Sequence, residues 1–307
     1  MNKPCYKLLH WIDVNYLDIE CLCENPNDEA ISIIENKFDE ISWTGLSANT
    51  NPRAIELLRQ NHEMISPLEL SSNRCSEAIQ LLKDFPDKID WDYLSGNPYA
   101  IELLKENQEK INWDALSKNP EAIELLLNNC DNINWSLLSV NSNDRAIELL
   151  LKNPDKIDWS HLSLNINPKA IQLLRSNIDK INWEHLCYNC SDEAIELLLE
   201  NKNKIVYDFL CENTNPKAIA IIEGNLDMAD WYYLSGNPGA IELLEKNRKM
   251  INRWCLSANP SIFKMDYEKM RLNFQDMEEE ILKKVLHPKR IEYYRDTYGY
   301  DVDDMFD

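Results

Sequence analysis

The residues of this 307-residue chain that could do chemistry are a column of glutamates, five histidines and nine cysteines. Glu56, Glu102, Glu124, Glu148, Glu196 and Glu242 each follow an Ala-Ile pair in the same local context. Two carboxylates can divide acid and base roles, but six equivalent ones spaced by a repeat describe a surface. Glu102 has Lys105 three residues on, while Glu148 has Lys152 and Glu242 has Lys246 four on, the spacing of helix ion pairs. We read the column as a solvated ladder and as the candidate surface for a partner. Of the histidines, His10, His62, His161, His185 and His287, only His161 and His185 share a repeat column. Units stacked like packed helices would set them roughly 10 Å apart, too far to share a metal ion.

The cysteines form no zinc or disulfide framework. Cys23, Cys187 and Cys211 replace a column serine, where a small side chain is wanted. The close pairs Cys21/Cys23 and Cys187/Cys190 lack a second pair or a histidine at finger spacing. No nucleophile elbow, triad order or glycine-rich phosphate loop is present. The sequence therefore reads as a non-enzyme with no metal and no cofactor.

What positions these residues is a repeat. Residues 97–119, NPYAIELLKENQEKINWDALSKN, recur with variations every 22 or 24 residues from about residue 25 to 260. Asn-Pro starts a helix, since asparagine accepts from free first-turn amides and proline needs no donor there. Ala100, Leu103, Leu104 and Asn107 follow one helical face, and Asn107 is placed to end the helix in a left-handed conformation. Ile111 returns to the core, and Trp113, Leu116 and Ser117 suit a second helix of one or two turns. Neither helix is stable alone, so neighbours must cover them.

Two columns do not vary. One is leucine at Leu116 and its equivalents; the other is the asparagine ladder that includes Asn97, Asn119, Asn141, Asn165, Asn189, Asn213 and Asn237. An asparagine never exchanged for serine or aspartate uses both its donor and its acceptor, bridging backbone groups of adjacent units. The tryptophan column, broken at Pro67 and Arg253, reads as interior packing. The unit near Asn73, with Pro67 and Phe85-Pro86, is the least regular and is where a kink is expected.

The fold class that follows is all-α, an α-solenoid of short helix pairs of either hand. The alternative is a leucine-rich-repeat-like α/β solenoid, which also uses an asparagine ladder, with residues 111–116 as a strand. The three-residue step from Trp113 to Leu116 favours helix. Residues 1–24 read as an N-terminal cap, 25–260 as the solenoid, and 261–307 as a helical C-terminal cap. Within that last part, residues 266–274 and 278–286 are expected as helices, with a break at His287-Pro288 and an acidic tail. An open stack of ten or so units would run on the order of 90 Å.

The net charge of −21 disfavours nucleic acid and anionic membrane, and points to a protein partner, a basic one by preference. No run reaches membrane-spanning length, and the first residues are too acidic for a secretory signal. Casually placed thiols fit a reducing compartment.

The NPxAIELLxxN units, the opening LLHWIDVNYLD, and the ending NPSIFKMDYEKMRLNF followed by LHPKR resemble an expanded family of repeat proteins encoded by giant nucleocytoplasmic DNA viruses. The resemblance covers nearly the whole chain and implies a viral product in the cytoplasm of an infected cell, in the cytosol or a viral factory. No activity or catalytic residue comes with it. The resulting expectation is a non-enzymatic scaffold for protein–protein interaction, or alternatively a structural component of the particle or factory.

Overall fold

The computed structural model describes residues 5–298, so the expected acidic tail of Asp301, Asp303, Asp304 and Asp307 lies outside the described residues. Apart from one pair of three-residue strands, its regular elements are helical. Two compact units form, one spanning Leu9–Ile262 and one built from the residues before and after it.

In the first unit each repeat is a longer helix followed by a short one. Pro52–Gln60 is a longer helix capped by Asn51, and Trp113–Ser117 is a short helix capped by Asn112. The segment that a leucine-rich repeat would make a strand is thus helical. Between the two helices lies one 3-10 turn, such as Gln108–Lys110. Asn107 precedes that turn at φ −133°, not in the left-handed region. Its side chain ends the helix instead, its Nδ2 donating 2.9 Å to the Leu103 carbonyl. Asn61, Asn129, Asn153, Asn177, Asn201, Asn225 and Asn247 do the same. A side-chain donor satisfies the orphan carbonyl without a positive φ.

The unit length is set at the start of the longer helix. In the 24-residue form a second asparagine, as at Asn51, Asn143, Asn167 and Asn215, caps the helix. In the 22-residue form that residue is missing and the ladder asparagine must cap as well. The chain then enters through a 3-10 turn, Pro98–Ala100, Pro120–Ala122 or Pro238–Ala240. Leu46, Leu94, Leu116, Leu138, Leu162 and Leu186 are fully buried between the helix layers, as are the alanines Ala54, Ala78, Ala100 and Ala146, whose small side chains allow close helix approach.

The stack closes on itself. Each ladder asparagine donates two hydrogen bonds to carbonyls of the unit before: Asn119 to Ser95 and Asn97, at 3.2 and 3.0 Å. The pattern runs from Asn49 to Asn259, and Asn25 then donates to Ser257 and Asn259 at 3.2 and 2.9 Å. A second ladder closes with it. Ser95 Oγ donates to Trp91 O and accepts from Asn112 N, and Ser257 Oγ accepts from Asp18 N at 2.8 Å in the same way. Eleven short helices, from Ile19–Leu22 to Arg253–Ala258, make up the ring. A full circle over eleven units turns about 33° per unit.

Closure overturns two expectations. The array does not extend along an axis of about 90 Å, because its first and last units bond to each other. Nor do residues 9–24 cap an open end. Val14–Tyr16 is the 3-10 turn, Asp18 the cap and Ile19–Leu22 the short helix of an eleventh unit whose beginning is Pro260–Ile262. Leu9 N meets Ile262 O at 2.9 Å where the two parts join. The unit near Asn73 does not interrupt the ring either. Pro67 sits at the first position of its helix, where no donor is needed, and Asn73 keeps both inter-unit bonds.

In the second unit Tyr6–Leu8 pairs antiparallel with Phe263–Met265, with Tyr6 opposite Met265. Lys7 holds Asp266 at 3.1 Å, and Asp266 caps one helix, Tyr267–Val285, where two were expected. The break before Pro288 stands, and Pro288–Tyr298 follows it.

Candidate interaction surface

The glutamate column lies at the surface, but cations of this chain answer most of it. Glu56 meets Arg59 at 3.6 Å and Glu102 meets Lys105 at 2.7 Å, both within one helix. Three others reach the following unit: Glu124 pairs with Arg145, Glu148 with Lys169 at 3.6 Å and Glu196 with Lys217 at 3.1 Å. Glu148 therefore does not use Lys152 as the spacing implied. Glu242 lies near Lys246, whose pKa is raised mainly by its bond to Glu223. This belt joins neighbouring units and offers a partner little unpaired charge. The ladder asparagines are buried, Asn97, Asn119, Asn141, Asn165, Asn189, Asn213 and Asn237 alike, and all are engaged with backbone.

Another surface emerges from the short helices. Relative to Trp113, the residues three, four and six further on are the invariant Leu116, the small Ser117 and Asn119, all turned inward. Those one, two and five further on share the opposite face by helical spacing. They vary freely, holding Tyr93, His161, His185, Phe209 and Tyr233 in the second position and Gly96, Lys118, Tyr188, Glu212 and Gly236 in the fifth. Tyr93, Tyr232, Tyr233 and Trp254 are exposed. Aromatic contacts run from unit to unit: Tyr188 lies 5.2 Å from Phe209, and its hydroxyl donates to Glu212 at 3.2 Å. Burial, then Glu212, pushes that phenol's pKa up.

Two clefts open on this face where the fifth position is glycine. One, about 380 Å³, is lined by Arg74, Asp92, Tyr93, Gly96 and Lys118; the other, about 290 Å³, by Glu212, Tyr233, Gly236 and Cys255. These volumes stand at or below the small end of the range for small-molecule sites. The tryptophan column borders the same helices. Its indoles are half-buried rather than interior, because each begins a helix too short to cover it. Lys110, Lys156 and Lys180 lie over Trp91, Trp135 and Trp159 at 4.6, 4.2 and 4.3 Å.

The serine column also does more than stay small. Cys187 Sγ accepts from Val206 N at 3.4 Å, in the place of a serine hydroxyl, and burial pushes its thiol pKa up. Ser136, Asp158 and His161 form a cluster of catalytic residue types. Burial raises the Asp158 pKa, but the Ser136 hydroxyl and the His161 amide and ring outweigh it and hold the carboxyl at about 2. Ser136 Oγ and Asp158 Oδ2 both lie against the same ring nitrogen, Nδ1, at 3.0 and 2.9 Å. A triad needs them on opposite nitrogens, so this set cannot activate the serine. Among the described residues no group of three or more His, Cys, Asp or Glu is placed to hold a metal, and no helix is long and apolar enough to cross a membrane.

The variable face could not be found from the invariant columns; its signal was the positions where the repeats disagree. No family model, no curated protein and no solved structure matches this chain.

Proposed function

We propose that the chain is a non-enzymatic recognition ring that binds a protein through the variable face of its short helices. The observation that carries this is the placement of exposed Tyr93, Tyr232, Tyr233 and Trp254 on a face the fold leaves free to vary. Large amphipathic aromatics around side-chain-sized clefts are what dominate protein interfaces. The charge of −21 favours a basic partner over nucleic acid. The sequence resemblance supports a viral product in the cytoplasm of an infected cell, and thiols in serine positions fit a reducing compartment.

The alternative, a structural component of the particle or factory, keeps the regularity of the repeats as support but would have to assemble through the faces of the ring, since Asn25 bonds to Ser257 and Asn259. Affinity purification from infected-cell extract tests the proposal by comparing wild type with a Tyr232→Ala/Tyr233→Ala/Trp254→Ala variant. The expected result is a specific protein enriched by wild type and lost, about 10-fold or more, with the variant. Equal recovery by both would overturn the assignment of this face.

A further inference from the structure

His161 and His185 occupy the same position of adjacent short helices, and their ring centres lie 6.5 Å apart. That is much closer than packed helices alone imply, because the two side chains converge. His185 Nδ1 lies 2.9 Å from the Ser160 carbonyl, which can only accept, so the proton sits on Nδ1. His161 Nδ1 lies 2.9 Å from Asp158 Oδ2 and 3.0 Å from Ser136 Oγ, and Ser136 itself donates to Asp158 at 2.5 Å. His161 is thereby the donor as well. Both rings then present the Nε2 lone pair, and among the described residues no hydrogen bond to either Nε2 is formed. A carboxylate and a backbone carbonyl on the far nitrogen are the partners that orient metal-ligating histidines.

We infer that His161 and His185 form a two-imidazole site for a borderline divalent cation of the zinc class, its remaining positions filled by water. Two Nε2 atoms on one cation at 2.0–2.1 Å set ring centres roughly 5–6.5 Å apart, so side-chain rotation drawing the rings together by about 1 Å completes the site. His161 is only about one-third exposed, with a side-chain accessibility of 35% that leaves a path for the ion. The inference is independent of the protein-binding role, and a failure of either leaves the other standing.

The test titrates the full, reduced chain with zinc chloride by calorimetry and with cobalt(II) by visible absorption, alongside His161→Ala and His185→Ala. Expected is one site whose affinity falls about 10-fold or more in each variant. The cobalt spectrum should lack thiolate charge-transfer bands. On the wild-type chain alone, zinc should shift the ring-proton resonances of these two histidines and not those of His10 or His62. Absence of binding, wild-type affinity in either variant, or a thiolate spectrum that places the ion on the cysteines would each overturn the inference.

Discussion

A carboxamide can donate twice and accept once in one plane, and that is how Asn119 is used. Its Nδ2 reaches Ser95 O and Asn97 O, and its Oδ1 accepts from Glu121 N at 3.1 Å. Asn119→Ala should leave buried backbone groups unpaired and cost about 2–4 kcal/mol. Asn119→Asp should cost more, since a carboxylate oxygen would face the two carbonyls; urea denaturation would rank them. The column was legible because no other side chain of this length both donates and accepts through a carboxamide. Less legible was Asn73, whose Oδ1 is the one ladder oxygen left without a donor, in the unit where Cys75 stands in place of a capping asparagine. The paired histidines were misplaced in the sequence reading because helix-to-helix distance was applied to side chains that converge.

At the scale of the element, each short helix of four to six residues owes its stability to its neighbours. The helix periodicity and its caps were readable from asparagine, proline and leucine spacing. The 3-10 entry of the 22-residue units was not, because it results from one asparagine being asked to bridge and to cap. Arg253 was visible only as a break in the tryptophan column. In the fold its guanidinium donates to Leu17 O at 3.0 Å and lies 6.0 Å from the Tyr16 ring, tying the tenth unit to the second part of the eleventh across the closure. Arg253→Ala should remove a charge-assisted bond worth about 1.5–3 kcal/mol. Hydrogen exchange would check it: amides of residues 19–25 should exchange faster, with those near Asn141 unchanged.

For the whole repeat array, stability is shared differently from an open stack. Terminal units of a linear solenoid have one neighbour and fray first, whereas here every rung has two. Removing residues 1–24 should therefore do more than shorten the array: it opens the ring, uncovers the buried Leu256 and removes the short helix of the split eleventh unit that leads into Asn25. The expected outcome is a lower and broader thermal transition, read by circular dichroism; a transition as sharp as that of the full chain would mean that closure adds no cooperativity. The sequence showed eleven copies but not that the eleventh is split, because the residues that rejoin it, Leu9 and Ile262, carry no motif and meet through backbone alone.

The number of rungs has a consequence of its own. Eleven is prime, so no two-, three- or four-fold symmetric molecule can touch equivalent repeats at regular intervals around this circle. Any binder must instead read individual side chains at a few adjacent addresses, which gives Tyr93, His161 and Phe209 reason to differ.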